Sequence, residues 1–316
     1  MSGSTLSDIE QGRAALAIGD LDRAESICLG VLARVAGQPE ALHLLGVAAM
    51  IRGQVTEALN WLNQAMAQGG GDAVILTNRA EALRRLGQLD EAHACFEQAL
   101  KLDNSNPHTH FNLALVLKAR GDAPRAEHFF RNALMLRPEM ARAHFELAEL
   151  YRDEGHGLEA EAEYRAAIDG TKAVGTGGEG EDLAIVARWH SALGMLLRER
   201  GSIPAAVEEL RKAVVLDPQN AQAQFELGRA LFEMCCEREA RKHYTHAVSL
   251  EPALGARGGG KATCARMVSL KGWCERGHGS WTTLARSQWL DLPPPKVLQA
   301  QMSSGFAIGK PVTAEL

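Results

Sequence analysis

Aromatic residues are scarce in this chain, 5% of 316 residues, which leaves little material for the aromatic and β-branched strands of a sheet protein. Abundant Ala and Leu favour helices instead. No apolar run approaches the ~20 residues that span a bilayer, so no membrane association is expected. The opening MSGSTLSDIEQG has neither a basic segment nor an apolar stretch and does not read as a secretory signal. The six cysteines (Cys28, Cys95, Cys235, Cys236, Cys264, Cys274) show no CxxC spacing, and two are adjacent. That distribution suits a reducing cytoplasm better than a disulfide framework. A surplus of positive charge is also missing, since the net charge is −5. The residues from Ala253 onward hold eight Lys or Arg against three Asp or Glu, which leaves −10 on the preceding 252. Nucleic-acid binding rests on phosphate neutralisation, so an acidic body argues against such a partner. Apolar residues at 46% and charged residues at 23% form an ordinary globular balance, which excludes wholesale disorder.

What the chain does have is a repeat. Sliding FNLALVLKARGDAPRAEHFFRNAL by 34 residues lands on FELAELYRDEGHGLEAEAEYRAAI in one direction and TNRAEALRRLGQLDEAHACFEQAL in the other. One ladder of small residues runs Gly12, Gly46, Ala80, Ala114, Ala148, Gly194, Gly228. A second runs Gly19, Gly53, Gly87, Gly121, Gly155, Gly201, and then Cys235 where Gly fails. The third is Ala24, Ala58, Ala92, Ala126, Ala160, Ala206, Ala240. Every step is 34 except one of 46 between the fifth and sixth members. Within a unit, His110, Leu113, Ala114 and Leu117 share one helical face. Gly121 can take the left-handed conformation that closes that helix. Pro124 and Pro204 fall in the first turn of a second helix, where a missing N–H costs nothing. Pro138, Pro218 and Pro252 then stop second helices. The small residues therefore predict close helix crossings.

These three ladders resemble the tetratricopeptide repeat (TPR) family, whose 34-residue unit is a pair of antiparallel helices. The resemblance implies an all-α, right-handed solenoid of about seven units over residues 5–254, with first helices lining a concave side. The units lie near 5–38, 39–72, 73–106, 107–140, 141–174, 187–220 and 221–254. A Gly-rich, acidic loop is expected at about 170–182. The first unit is degenerate, with Cys28 where an aromatic or Leu is usual, as a solvent-facing end would allow. With Cys235 for Gly, the seventh unit is expected to have a distorted turn. Residues 255–316 read as a capping helix at 261–277 followed by an irregular tail containing Trp281, Trp289 and Pro293–Pro295. A related 35-residue RNA-reading repeat fits poorly, given the strict step of 34 and the acidic body.

Little points to catalysis. GTGGEG, residues 175–180, matches GxGxxG but lacks a preceding strand, and Glu179, Glu181 and Asp182 would repel a phosphate, so no cofactor is expected. Next to Cys235, the residues Cys236, Glu239, His243 and His246 share one stripe at spacings of three, four and three, but four ligands along one straight helix cannot all converge tetrahedrally on a metal. His110, His144 and His190 occupy one column that reads as structural. No catalytic constellation emerges.

The candidate site is a groove for a protein or peptide. Arg84, Lys118, Arg152 and Arg198 recur in one column of the first helices, with Phe111, Phe145 and Phe225 one turn away. Asn78 and Asn112 match the asparagine ladder of TPR arrays that grip an extended peptide by its backbone, though the ladder lapses at Leu44, Glu146, Ala192 and Glu226. Such a row suits an extended ligand or partner helix with acidic and apolar residues. Against this, Glu81 and Glu149 each stand three residues before an Arg and are placed to neutralise it. The TPR subclass that clamps terminal carboxylates fits poorly, having His43, Val47, Thr77 and Glu81 in its columns. The leading expectation is a non-catalytic cytoplasmic interaction scaffold. The alternative, suggested by the tail, is the targeting module of a glycosyltransferase-like transferase whose catalytic domain lies elsewhere.

Overall fold

The computed structural model describes residues 3–69, 71–173 and 183–254, which contain fourteen α-helices and no strand. The chain divides into two compact units, Met1–Asp153 and Glu154–Leu316. The first holds α1 (Gly3–Ala17), α2 (Leu21–Arg34), α3 (Pro39–Ile51), α4 (Val55–Ala67), α5 (Ala73–Arg85), α6 (Leu89–Leu102), α7 (Pro107–Ala119), α8 (Ala123–Leu136) and α9 (Ala141–Asp153). The second holds α10 (Gly157–Ala173), α11 (Leu183–Glu199), α12 (Ile203–Leu216), α13 (Ala221–Glu233) and α14 (Glu237–Leu250). Within each unit a helix packs on the next in sequence, and several pack on the next but one, which is the wiring of an α-solenoid.

The turns follow from the glycine ladder. Gly121, at φ 79°, donates to Lys118 while Asp122 donates to Leu117, the paired bonds of a Schellman cap. Gly19, Gly53, Gly87, Gly155 and Gly201 also take positive φ. The seventh turn is not distorted. Cys235 adopts φ 62° and donates to Phe232, and Cys236 donates to Leu231, so the cap survives with a side chain in a strained conformation. Asp20, Gln38, Asp72, Asn106, Asp122 and Asn220 accept from backbone N–H groups at helix starts.

The small-residue ladder lies where helix backbones pass closely. A Cβ on Gly46 would stand 2.7 Å from Leu62, and one on Gly194 would stand 2.6 Å from Leu210. Ala58, Ala92, Ala126, Ala160, Ala206 and Ala240 are completely buried. Cys28 is as buried as its equivalents Leu62, Phe96 and Phe130, so the first hairpin is packed at that position rather than open to solvent. Burial pushes its thiol up to about 11. Each core joins successive hairpins: Ala41, Leu44 and Leu45 of α3 pack with Ile9, Cys28 and Val31. In the second unit Leu210 packs with Phe225, Leu231 and Tyr244.

Helix α10 continues through Ala173, so residues 170–173, expected as loop, are helical; the Thr171 hydroxyl donates to Ile168 at 2.7 Å. Helix α11 starts at Leu183 and is longer than the 13-residue α13. Residues 174–182 and 255–316 lie outside the described residues, and with them GTGGEG, the expected cap at 261–277 and the tail.

Candidate functional site

In the first unit α5, α7 and α9 supply Asn78, Arg84, Phe111, Asn112, Lys118, Phe145 and Arg152. A buried hydrogen bond of 2.9 Å between Thr77 and Thr109 fixes α5 against α7. The cations on this face are already paired. Arg84 donates to both carboxylate oxygens of Glu81, at 2.7 and 2.8 Å. Arg152 forks onto Glu149 in the same way, at 3.0 and 2.9 Å. Lys118 reaches Glu146 on α9 at 2.8 Å. Burial works against the Glu81 charge, but hydrogen bonds from Arg84 and Arg85 outweigh it and hold the carboxyl below its usual range. The hydrogen bond from Arg84 to Glu81 in turn raises the pKa of the guanidinium.

Arg198, in the second unit, bonds Glu233 at 3.0 Å and stands 3.4 Å from Glu226, a carboxylate buried on α13. The expected row of cations is thus a set of charge pairs, and the reason is the intra-helical and cross-repeat carboxylates. Lys118–Glu146 and Arg198–Glu226 repeat one step of 28 residues. That spacing, visible in the sequence, identifies the partner carboxylates that a reading by single columns misses.

The aromatic column is deeper than expected. Phe145 and Phe225 are buried, with Phe225 edge-on to Tyr244 at 5.4 Å. Phe111 remains half-buried, its ring tilted against Phe130 at 5.9 Å. Asn78 donates to Nε2 of His43 at 2.7 Å. That bond requires a neutral imidazole, and burial lowers the His43 pKa accordingly. Asn112 is half-buried and makes no side-chain hydrogen bond among the described residues.

The other sequence candidates have local explanations. Nε2 of His110 donates to the Asn104 carbonyl at 2.8 Å, and Nε2 of His144 donates to that of Pro138 at 2.9 Å. Gln224, in the same column, donates to Pro218 at 3.0 Å. In α7, α9 and α13 this column ties the first helix to the turn preceding it. His190 instead bonds Glu209 at 2.7 Å. In the stripe on α14, Glu239 pairs with Arg211 at 2.8 Å and His243 with Gln224 at 2.8 Å. Among the described residues no group of three or more His, Cys, Asp or Glu side chains is placed to hold a metal ion, and no helix is long and apolar enough to cross a membrane.

A family model described as TPR repeat matches residues 80–121 and 194–234, and one described as Tetratricopeptide repeat matches 9–73 and 111–173. No curated protein matches the sequence. Solved structures similar to it include that of Pseudomonas aeruginosa pilF, at 20% identity and TM-score 0.59, covering 70% of this chain and 95% of that one. A tetratricopeptide repeat protein from Parabacteroides merdae shares 19% identity at TM-score 0.55, covering 85% of this chain and 99% of that one. The Cut9–Hcn1 hetero-tetramer of the APC/C matches at 14% identity and TM-score 0.65, over 81% of this chain and 48% of that one. The two repeat models together match more than half of the chain, which belongs to the tetratricopeptide repeat family.

Proposed function

We propose that this chain is a protein-interaction scaffold acting without catalysis, and that the α5–α7–α9 face grips an extended peptide or a partner helix. The observation that carries this reading is Asn112. Its amide has no partner among the described residues, beside half-buried Phe111. By the step that joins Lys118 to Glu146, it stands opposite Arg84. An asparagine amide both donates and accepts, so it can bond the N–H and C=O of a single residue in an extended chain. Flanking cations held by Glu81 and Glu146 make the face nearly neutral, which favours backbone recognition over capture of an acidic chain. The unpaired thiols Cys28, Cys95, Cys235 and Cys236 fit a reducing cytoplasm. The transferase-targeting reading rests on residues outside the described ones.

The test is selection of peptides from a random library on the full chain, followed by titration of an enriched peptide against Asn112→Ala. Loss of about tenfold in affinity, on the order of 1.4 kcal/mol, with unchanged helicity is expected. Equal affinity for parent and variant would remove Asn112 from the site.

A further inference from the structure

The turn between α13 and α14 carries two exposed cysteines whose one local bond is the long 3.8 Å contact from the Cys236 thiol to the Met234 carbonyl. Six equivalent turns place Gly at the left-handed position, and here Cys235 occupies it at φ 62°. Cys236 follows at the N-cap of α14 without making a side-chain capping bond. Both thiols are exposed and free, whereas Cys28 and Cys95 are buried. Packing therefore explains neither cysteine. Their adjacency sets what they can do together. Consecutive Cα atoms lie about 3.8 Å apart across a trans peptide, short of the roughly 4.4–6.8 Å that a relaxed disulfide spans. Two adjacent thiolates can instead close a ring around a third, larger atom, which widens the bite.

We propose that Cys235 and Cys236 form a dithiol site for a soft, low-coordinate thiophilic centre of the trivalent-arsenic type. A tetrahedral zinc site is the wrong chemistry here: Glu239 is held by Arg211, His243 by Gln224, and no third ligand joins the pair among the described residues. Thiolate sulfur selects soft acceptors, and a trivalent centre is satisfied by two sulfurs and one further substituent. With phenylarsine oxide as the probe, both S–H protons pass to the arsenic-bound oxygen, which leaves as water. Two S–As bonds form, and no atom changes oxidation state.

The experiment uses the full chain carrying Cys264→Ser and Cys274→Ser, so that Cys235 and Cys236 are the exposed thiols known to remain. Phenylarsine oxide is added, excess monothiol competes, and retained arsenic is counted by mass spectrometry of the intact chain. One equivalent is expected on this parent. Cys235→Gly keeps the turn with the residue its φ favours, and should lower retention at least about a hundredfold by removing chelation. Cys236→Ser should do the same. Retention unchanged in Cys235→Gly, or none on the parent, overturns the proposal. A parent that oxidises to a Cys235–Cys236 disulfide in preference to binding arsenic overturns it as well.

Discussion

Gly30 and Gly194 are both helical glycines, yet the structure sets opposite expectations for them. A Cβ on Gly194 would meet Leu210 at 2.6 Å and the Ala206 carbonyl at 3.2 Å, whereas one on Gly30 meets nothing within 4 Å. Gly194→Ala should destabilise by about 1–3 kcal/mol, because buried Leu210 has no room to retreat. That loss exceeds the helix-propensity gain of roughly 0.5–1 kcal/mol that Gly30→Ala should show undiluted. Denaturant melts of both variants check the pair, and a shift of the same sign in each would misplace the crossing. The sixteen-residue step from Gly194 to Leu210 also sets Gly46 against Leu62, but Ala80, Ala114 and Ala148 against Phe96, Phe130 and Tyr164. A ring does not by itself make room for the methyl, since the same step sets Gly228 against Tyr244, where an added Cβ would stand 3.1 Å from the ring. Cys235→Gly should stabilise by about 1 kcal/mol through relief of the left-handed side chain, measured in the same melts.

Helices α11 and α12 are joined by a bond with a pH signature. Burial works against the Glu209 charge, yet hydrogen bonds from His190 and Lys212 outweigh it and hold the carboxyl at about 2, below its ordinary 4.5. A depressed carboxylate contributes stability that is complete above 4.5 and is lost as pH falls toward about 2. Glu209→Gln keeps an acceptor for His190 but cannot titrate. Its stability should therefore fall less steeply than the parent's over that window; parallel acid-denaturation curves would exclude this linkage. The helices themselves were legible in the sequence, since Gly121, Pro124 and Pro138 punctuate a period that repeats. Two features were not. Helix α10 runs past Gly170 because one glycine lowers helix propensity without ending a helix, and Thr171 adds a local bond. The turn at Cys235 kept its shape because flanking hairpins over-determine it, a tertiary effect that no local residue preference encodes.

Across the whole molecule, charge is distributed so that the acidic body and its first-helix face behave differently. The first 252 residues carry −10, but Arg84, Lys118 and Arg152 each meet a carboxylate on or beside their own helix. The positions of these cations, and the pairing of Arg84 and Arg152 with Glu81 and Glu149, were legible in the sequence; the neutralisation of Lys118 was not, because it depends on Glu146 arriving from the next repeat. A row of free cations would bind an acidic ligand with strong salt dependence, since exposed charges are screened over about 10 Å at 0.1 M salt. A neutralised row gives an acidic ligand nothing that Glu81, Glu146 and Glu149 do not already occupy. The expected consequence is affinity for a library-selected peptide that changes less than about threefold between low and physiological ionic strength, as for pairs whose net worth is near 0–1 kcal/mol. Lys118→Glu alone would set two carboxylates against each other and should weaken both stability and binding. Adding Glu146→Lys restores the pair in reverse and should recover both, because a backbone ligand reads the geometry of the face and not the direction of its charge pair. Isothermal titration of the parent, the single variant and the swap at two salt concentrations decides the matter. Steep salt dependence, or a swap that folds normally yet does not bind, would return the acidic ligand to first place and make Lys118 itself the contact.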